Sequence, residues 1–212
     1  MIASGSTVVL IRGINDTLET YLKSSLVGIA AMDPDQFDNY VLFSEDSLCQ
    51  LIATAHEEQV KEFPDALSNN WSIDIYMDAV FTNEKVATLS YSESTYLGGA
   101  HPNYFTHFLN FDKSTGKTLR FSDLIKDEKK FIQLAEAAFR AYQELNDNQD
   151  LEEAGYFFDQ GIFYLPQNFA ITSEGLYFYY NPYEAGAYAL GPLEYTIPFS
   201  ELSELIDLNK IR

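Results

Sequence analysis

Near Trp71 the hydrophobic period of this chain changes from helical to alternating, and that change limits it to folds in which helices and strands share one chain. Before it, Leu18, Tyr21, Leu22, Ser25, Leu26 and Ile29 recur at helical spacing, and so do Leu48, Leu51, Ile52, Ala55, Gln59 and Phe63. After it, Trp71, Ile73, Ile75, Met77, Ala79 and Phe81 alternate with Ser72, Asp74, Tyr76 and Asp78, the signature of a half-buried strand. The expected class is α+β: a curved antiparallel sheet packed against helices, in two closely joined lobes, residues 1–70 mainly helical and 71–212 mixed.

Local signals set the boundaries of the elements. An Asp-x-x-Glu pattern, Asp16 with Glu19, predicts a helix start near Asp16 that runs to just before Asp33-Pro34. Asp33, Pro34 and Gln36 predict a short helical turn, because Asp can cap free amides and Pro fits the first helical position. A second helix is expected from Ser44 to Phe63, closed by Pro64. Asn83-Glu84-Lys85 joins the first strand to a second over 86–95 as a hairpin, and a third strand covers 104–111. Gly116 supplies a positive φ in the turn that follows. Phe131, Leu134, Ala135, Ala138, Phe139, Tyr142 and Leu145 form an amphipathic helix over 128–145, expected to cover that first sheet. A further hairpin spans 168–180, a last strand 195–199, and a terminal helix 200–208.

Charge excludes some partners. Thirteen Lys and Arg stand against 32 Asp and Glu, a formal charge of −19, so the surface repels polyphosphate and nucleic acid is excluded. Between Arg140 and Lys210 no Lys, Arg or His occurs, while Glu144, Asp147, Asp150, Glu174, Glu184, Glu194, Glu201 and Glu204 do. That stretch reads either as a solvated surface or as a face for a cationic partner. Cys49 is the single cysteine, so no internal disulfide is expected, and it reads as a buried helix position without reactive chemistry. No apolar run approaches the ~18–20 residues that span a bilayer, and Met1-Ile2-Ala3-Ser4-Gly5-Ser6 does not read as a signal peptide. Any membrane attachment would need a leader or lipid anchor outside these residues.

Tyr96-Leu97-Gly98-Gly99-Ala100-His101-Pro102-Asn103, Thr115-Gly116-Lys117, Asn181-Pro182-Tyr183-Glu184 and Tyr188-Ala189-Leu190-Gly191-Pro192 follow one another in an order that resembles the domain-of-unknown-function family DUF3298, over about Trp71 to Leu205. The resemblance implies an α+β fold with a helical companion lobe before Trp71, in exported bacterial proteins. These include lipoproteins, the extracellular part of a lysozyme-sensing anti-sigma factor, and the region preceding a peptidoglycan deacetylase domain. Neither a membrane helix nor a deacetylase domain is found within these residues. What carries over is the setting, a cell envelope reached by export.

The candidate ligand-binding residues are Gly98, Gly99, His101, Asn103, Asn181, Tyr183, Glu184 and Tyr188. His101, between a Gly-Gly step and Pro102, serves either as a donor, acid or base in a pocket or as a hydrogen bond that fixes its loop. Tyr179, Tyr180, Tyr183 and Tyr188 either stack on sugars, with Glu184 accepting hydroxyl hydrogen bonds, or pack a rigid loop. If His101 and Glu184 meet, they make a small acid-base pair. His107 shares its strand parity with Phe105, Leu109 and Phe111 and reads as a core-side histidine; His56 reads as exposed.

No HExxH motif, paired CxxC, GxSxG elbow or phosphate-cradling glycine loop occurs, so no metal and no cofactor is expected. Asn146, Asn148, Asp150, Glu152 and Glu153 offer oxygens, yet Leu151 stands where a calcium loop needs Gly, and a solvated connector is the simpler reading. Three functions remain open. The first is a non-enzymatic envelope binding domain whose acidic surface meets a basic protein such as lysozyme or a wall-derived glycan. The others are a polysaccharide-acting enzyme using His101 and Glu184, and a structural envelope lipoprotein.

Overall fold

The computed structural model describes residues 5–31, 37–66 and 69–212, and the Asp33-Pro34-Gln36 turn lies outside them. Five helices and six strands are assigned among these residues, α+β in class. They fall into two compact units drawn from interleaved segments: one of residues 11–75 and 93–103, the other of 1–10, 76–92 and 104–212.

The first unit holds most of α1 (Gly5–Ala30), then α2 (Phe37–Tyr40) and α3 (Glu45–Glu62). α1 begins eleven residues earlier than the Asp16 signal implies. Asp16 is an interior residue whose carbonyl accepts the Thr20 hydroxyl at 2.9 Å, with Arg12 Nε 3.9 Å from its carboxylate. Acids three apart look alike at a cap and inside a helix, and Gly13 alone costs too little, about 1 kcal/mol, to stop the helix.

α3 starts and ends as its sequence signals require. The Ser44 hydroxyl accepts the Ser47 N–H at 3.2 Å, and Phe63 follows the last turn. Leu48 and Ile52 pack with Leu26, Val27 and Ile29 of α1, and Trp71, Ile73 and Leu97 join them. Cys49, expected to be buried, is exposed: it follows the fully buried Leu48, and one residue turns a helix by about 100°. Phe63 is likewise exposed. His56, expected in solvent, is half-buried, with Nε2 2.8 Å from the Asn69 carbonyl and its ring 5.2 Å from that of Trp71.

The first sheet is ordered β1 (Ser72–Thr82), β2 (Val86–Tyr96), β3 (Asn103–Asp112). Asn83 closes the β1–β2 hairpin, its Oδ1 accepting the N–H groups of Lys85 at 2.8 Å and Val86 at 2.9 Å. In β1, an edge strand, Tyr76 and Val80 are exposed on the outward alternate, while Met77 and Ala79, expected inward, are exposed as well. After β3, Asp112 Oδ1 accepts from Ser114 N–H and Thr115 N–H, and Gly116 takes φ +69° as the turn requires.

The second sheet, β4 (Phe169–Ile171), β5 (Gly175–Tyr180), β6 (Leu193–Pro198), is antiparallel. α4 (Glu128–Tyr142), capped by the Asp127 carboxylate on Lys130 N–H at 3.1 Å, packs on this sheet. This corrects the expectation that it covers the first. Its buried face of Phe131, Ala135 and Phe139 meets Phe178, Tyr180 and Tyr195 at ring separations of 5.8–6.0 Å. Burying each such ring contributes roughly 1.5–3 kcal/mol.

The terminal helix is also shorter than expected, α5 being Phe199–Leu202. Beyond it the chain makes short local turns and also bonds to the segment before α4: Lys126 N–H donates to Leu205 O and Asp207 N–H to Leu124 O, both at 2.8 Å. The 146–153 connector is tied down by Arg140, whose guanidinium donates to Gln149 O at 2.7 Å.

Three buried asparagines join β3 to the second sheet. Asn110 Nδ2 donates to Phe169 O at 2.8 Å, and its Oδ1 accepts Ile171 N–H at 2.8 Å and the Thr88 hydroxyl at 2.9 Å. Asn168 Oδ1 accepts Phe108 N–H at 2.8 Å while its Nδ2 donates to Thr106 O at 2.6 Å. Asn181 Oδ1 accepts Thr106 N–H at 2.7 Å. Buried amides are tolerated because every one finds such a partner.

Candidate functional site

The β5–β6 connection, residues 181–192, starts beyond the last paired residues, Tyr180 and Leu193. Asn181 and Glu184 close a turn between them: Glu184 N–H donates to Asn181 O at 3.0 Å, and the Glu184 carboxylate accepts Asn181 N–H at 2.9 Å. Pro182 occupies the second position, where its fixed φ belongs. Tyr183 occupies the third with φ +69°, a place usually given to Gly or Asn. A tyrosine held there costs on the order of 1–3 kcal/mol, a strain that tends to mark functional positions.

The rest of the loop is anchored on the body of its unit. Phe157 N–H donates to Ala185 O at 3.0 Å, the Tyr164 hydroxyl donates to Glu184 O, and Tyr180 donates to Tyr164 O. Leu190 and Gly191 N–H donate to Ala187 O and Tyr188 O, both at 2.9 Å, which makes the Tyr188–Leu190 turn. Few conformations remain open to the loop.

What it presents is aromatic. Tyr183 is 56% exposed, its ring 5.6 Å from Tyr188 at an angle of 35°. The Tyr188 phenol is pushed above its ordinary pKa by desolvation and then by the neighbouring Tyr104 and Tyr183 hydroxyls. Tyr104, on β3 and 50% exposed, lies within electrostatic reach of that phenol. Sequence reading passed over Tyr104 because its strand alone gives no sign of what faces it. The adjacent Glu184 is half-buried, and desolvation raises its carboxyl pKa against the lowering effect of the Asn181 hydrogen bond.

The candidate residues thus separate. Tyr183, Glu184 and Tyr188 share this loop. Asn181 begins it, but its side chain is buried and its amide is spent on Thr106. Gly98, Gly99, His101 and Asn103 belong to the other unit. There Gly98 has φ +86°, Asn103 is exposed, and His101 Nδ1 lies 2.9 Å from Pro102 O. A carbonyl only accepts, so Nδ1 carries the proton in that contact. His107 is half-buried with Phe105 4.2 Å from its ring, and burial lowers its pKa to about 4. Among the described residues no three His, Cys, Asp or Glu side chains gather as a metal ion would need.

Residues 122–200 match the family model of the protein of unknown function DUF3298, which bears out the resemblance read from the sequence. The Gly98–Asn103 segment precedes the matched residues and the tyrosine loop is within them. A crystal structure of a DUF3298 family member from Bacteroides fragilis NCTC 9343 superimposes with a TM-score of 0.64 at 23% identity, covering 87% of this chain and 74% of that one. A DUF3298 family protein from Pseudomonas aeruginosa PAO1 gives 0.57 at 22% identity, covering 74% and 70%. The chain is also 23% identical over 181 residues to the peptidoglycan-N-acetylmuramic acid deacetylase PdaC of Bacillus subtilis (strain 168). That match takes in 79% of this chain and 38% of PdaC.

Proposed function

We propose that this chain is a non-enzymatic, wall-associated domain of the bacterial envelope that binds glycan on the patch of Tyr104, Tyr183 and Tyr188. The observation that carries the reading is Tyr183 itself, a mostly exposed ring held at a strained φ beside a second tyrosine. Exposed rings offer flat apolar faces to the C–H faces of sugars and hydroxyls to their rims. The likeness to a peptidoglycan deacetylase supports a wall setting and an exported location. Glu184 fits a structural part in the loop, since its carboxylate already closes the turn.

The test is calorimetric titration with soluble peptidoglycan fragments. Tyr183→Ala with Tyr188→Ala should weaken binding about tenfold or more, as for paired hot-spot aromatics. Fragments that do not bind, or bind the double variant equally well, would overturn the reading. Hydrolysis or deacetylation of the fragments, lost in Glu184→Gln, would make the protein an enzyme instead.

The formal charge of −19, with Glu174, Glu201 and Glu204 exposed, favours a second reading, a basic protein partner such as lysozyme. Biolayer interferometry against a c-type lysozyme, beside an unrelated protein of similar charge, tests it. Binding that survives physiological salt and that the control lacks supports a protein ligand; binding no better than the control removes it.

A further inference from the structure

Three of the thirteen basic residues of this acidic chain line one cleft. Lys85 after β1, Lys117 after β3 and Lys210 near the C-terminus line a cleft of about 500 Å³. Lys210, the first basic residue after Arg140, arrives there because the terminal segment bonds back to Leu124. Lys113 is adjacent, its N–H donating to Lys85 O at 2.8 Å.

How these lysines are held decides what they can do. The described ion pairs are all within helices or at a helix cap, between residues three or four apart, and none includes a lysine of the cleft. Instead Lys85 Nζ donates to Asn209 O at 2.6 Å, Lys210 Nζ to Asp123 O at 2.5 Å, and Lys113 Nζ to Asn83 O at 2.6 Å. A carboxylate partner would cancel the charge. A carbonyl fixes the ammonium and leaves the charge whole, with two of its three N–H donors still to place.

Glu84, Asp112 and Asp123 also line the cleft. Two of them are engaged by their own turns. Asp112 Oδ1 accepts from Ser114 N–H at 2.7 Å, the Ser114 hydroxyl at 2.6 Å and Thr115 N–H at 3.0 Å, and Asp123 Oδ2 accepts Arg120 N–H at 2.8 Å. Three ammonium and three carboxylate groups balance here, while the chain as a whole carries −19. In this cleft an anion meets ammonium groups, two of them fixed, against a local charge that is balanced and not strongly negative.

We infer that this cleft binds an oxyanion, a phosphate or carboxylate group carried by a small molecule or polymer, on Lys85, Lys117 and Lys210. The site is separate from the tyrosine patch and stands or falls independently of it.

NMR titration of the ¹⁵N-labelled chain at constant ionic strength tests the inference, with inorganic pyrophosphate in one arm and citrate in the other. Saturable shifts at the amides of Lys85, Thr115, Lys117 and Lys210 are expected. Lys117, whose ammonium holds no part of the fold, gives the cleanest variant: Lys117→Gln should weaken binding about threefold, the scale of an exposed ion pair. The triple variant K85Q/K117Q/K210Q should abolish it, and Y183A/Y188A should leave it unchanged. Tighter binding of pyrophosphate assigns the site to phosphate-bearing ligands; tighter binding of citrate assigns it to polycarboxylates. Shifts that do not saturate, or that persist in Lys117→Gln and in the triple variant alike, overturn the inference.

Discussion

Asn110 donates its side-chain amide to the main-chain carbonyl of Phe169 at 2.8 Å, across 59 positions of sequence. Its carbonyl oxygen completes the exchange by accepting Ile171 N–H. One side chain thereby offers β4 the donor and acceptor that a neighbouring strand would.

Replacing that amide isolates buried groups on both sides. Asn110→Leu should leave Phe169 O, Ile171 N–H and the Thr88 hydroxyl without this partner, at about 1–3 kcal/mol for each group that finds no other. Urea unfolding should show a loss of roughly 3 kcal/mol or more. A loss below about 1 kcal/mol would mean that water or a local shift replaces the amide.

Gly175 faces Pro198 in the β5–β6 register. A Cβ there would lie 2.0 Å from Ile197 O and 2.8 Å from Pro198 Cα, both main-chain atoms. Gly175→Ala should therefore cost about 3 kcal/mol or more by forcing the strands apart. Circular dichroism melts should show a depressed Tm or insoluble protein, whereas a wild-type melt would mean that the strands can separate cheaply.

Tyr183 should divide stability from binding. Gly at that φ relieves the strain, so Tyr183→Gly should keep Tm or raise it by about 2–4 °C per kcal/mol recovered. The same variant should lose glycan affinity. A large fall in Tm would show that the ring holds the loop, against the present reading.

His107 gives a pH signature. Burial holds its folded-state pKa at about 4 against an ordinary 6.5, so the unfolded chain takes up the proton first as pH falls. The stability from neutral burial is fully present above pH 6.5 and is lost as pH drops toward 4. Glu184, whose pKa is raised by desolvation, works in the opposite sense. Comparing His107→Gln with the parent chain isolates the histidine: the variant should have the shallower acid limb in Tm against pH, and parallel limbs would refute the assignment.

Periodicity located β1, β2, β3 and α4 because in each a repeated side-chain pattern reports which face is covered. It said little about partners. The apolar face of α4 is evident from Phe131, Ala135 and Phe139, but nothing in those residues distinguishes one sheet from another. Cys49 and Leu48 are both apolar and adjacent, so composition could not say which one turns inward. Asn110 and Asn168 are buried against their type, since the groups that satisfy them lie on strands about 60 residues away. The tyrosine loop was legible as a motif. The strain at Tyr183 and the arrival of Tyr104 from another strand were not, because both arise only on folding.

The asparagine joint also bears on aggregation. A bare strand edge is a template for another chain, and proteins usually blunt it with charge, proline or a covering element. Here Asn110, Asn168 and Asn181 occupy outward main-chain groups of Thr106, Phe108, Phe169 and Ile171, so two edges are closed by the same few side chains. Losing Asn110 would uncover main-chain groups of β4, losing Asn168 or Asn181 would uncover those of β3, and such variants should form intermolecular β-structure before they lose their helices.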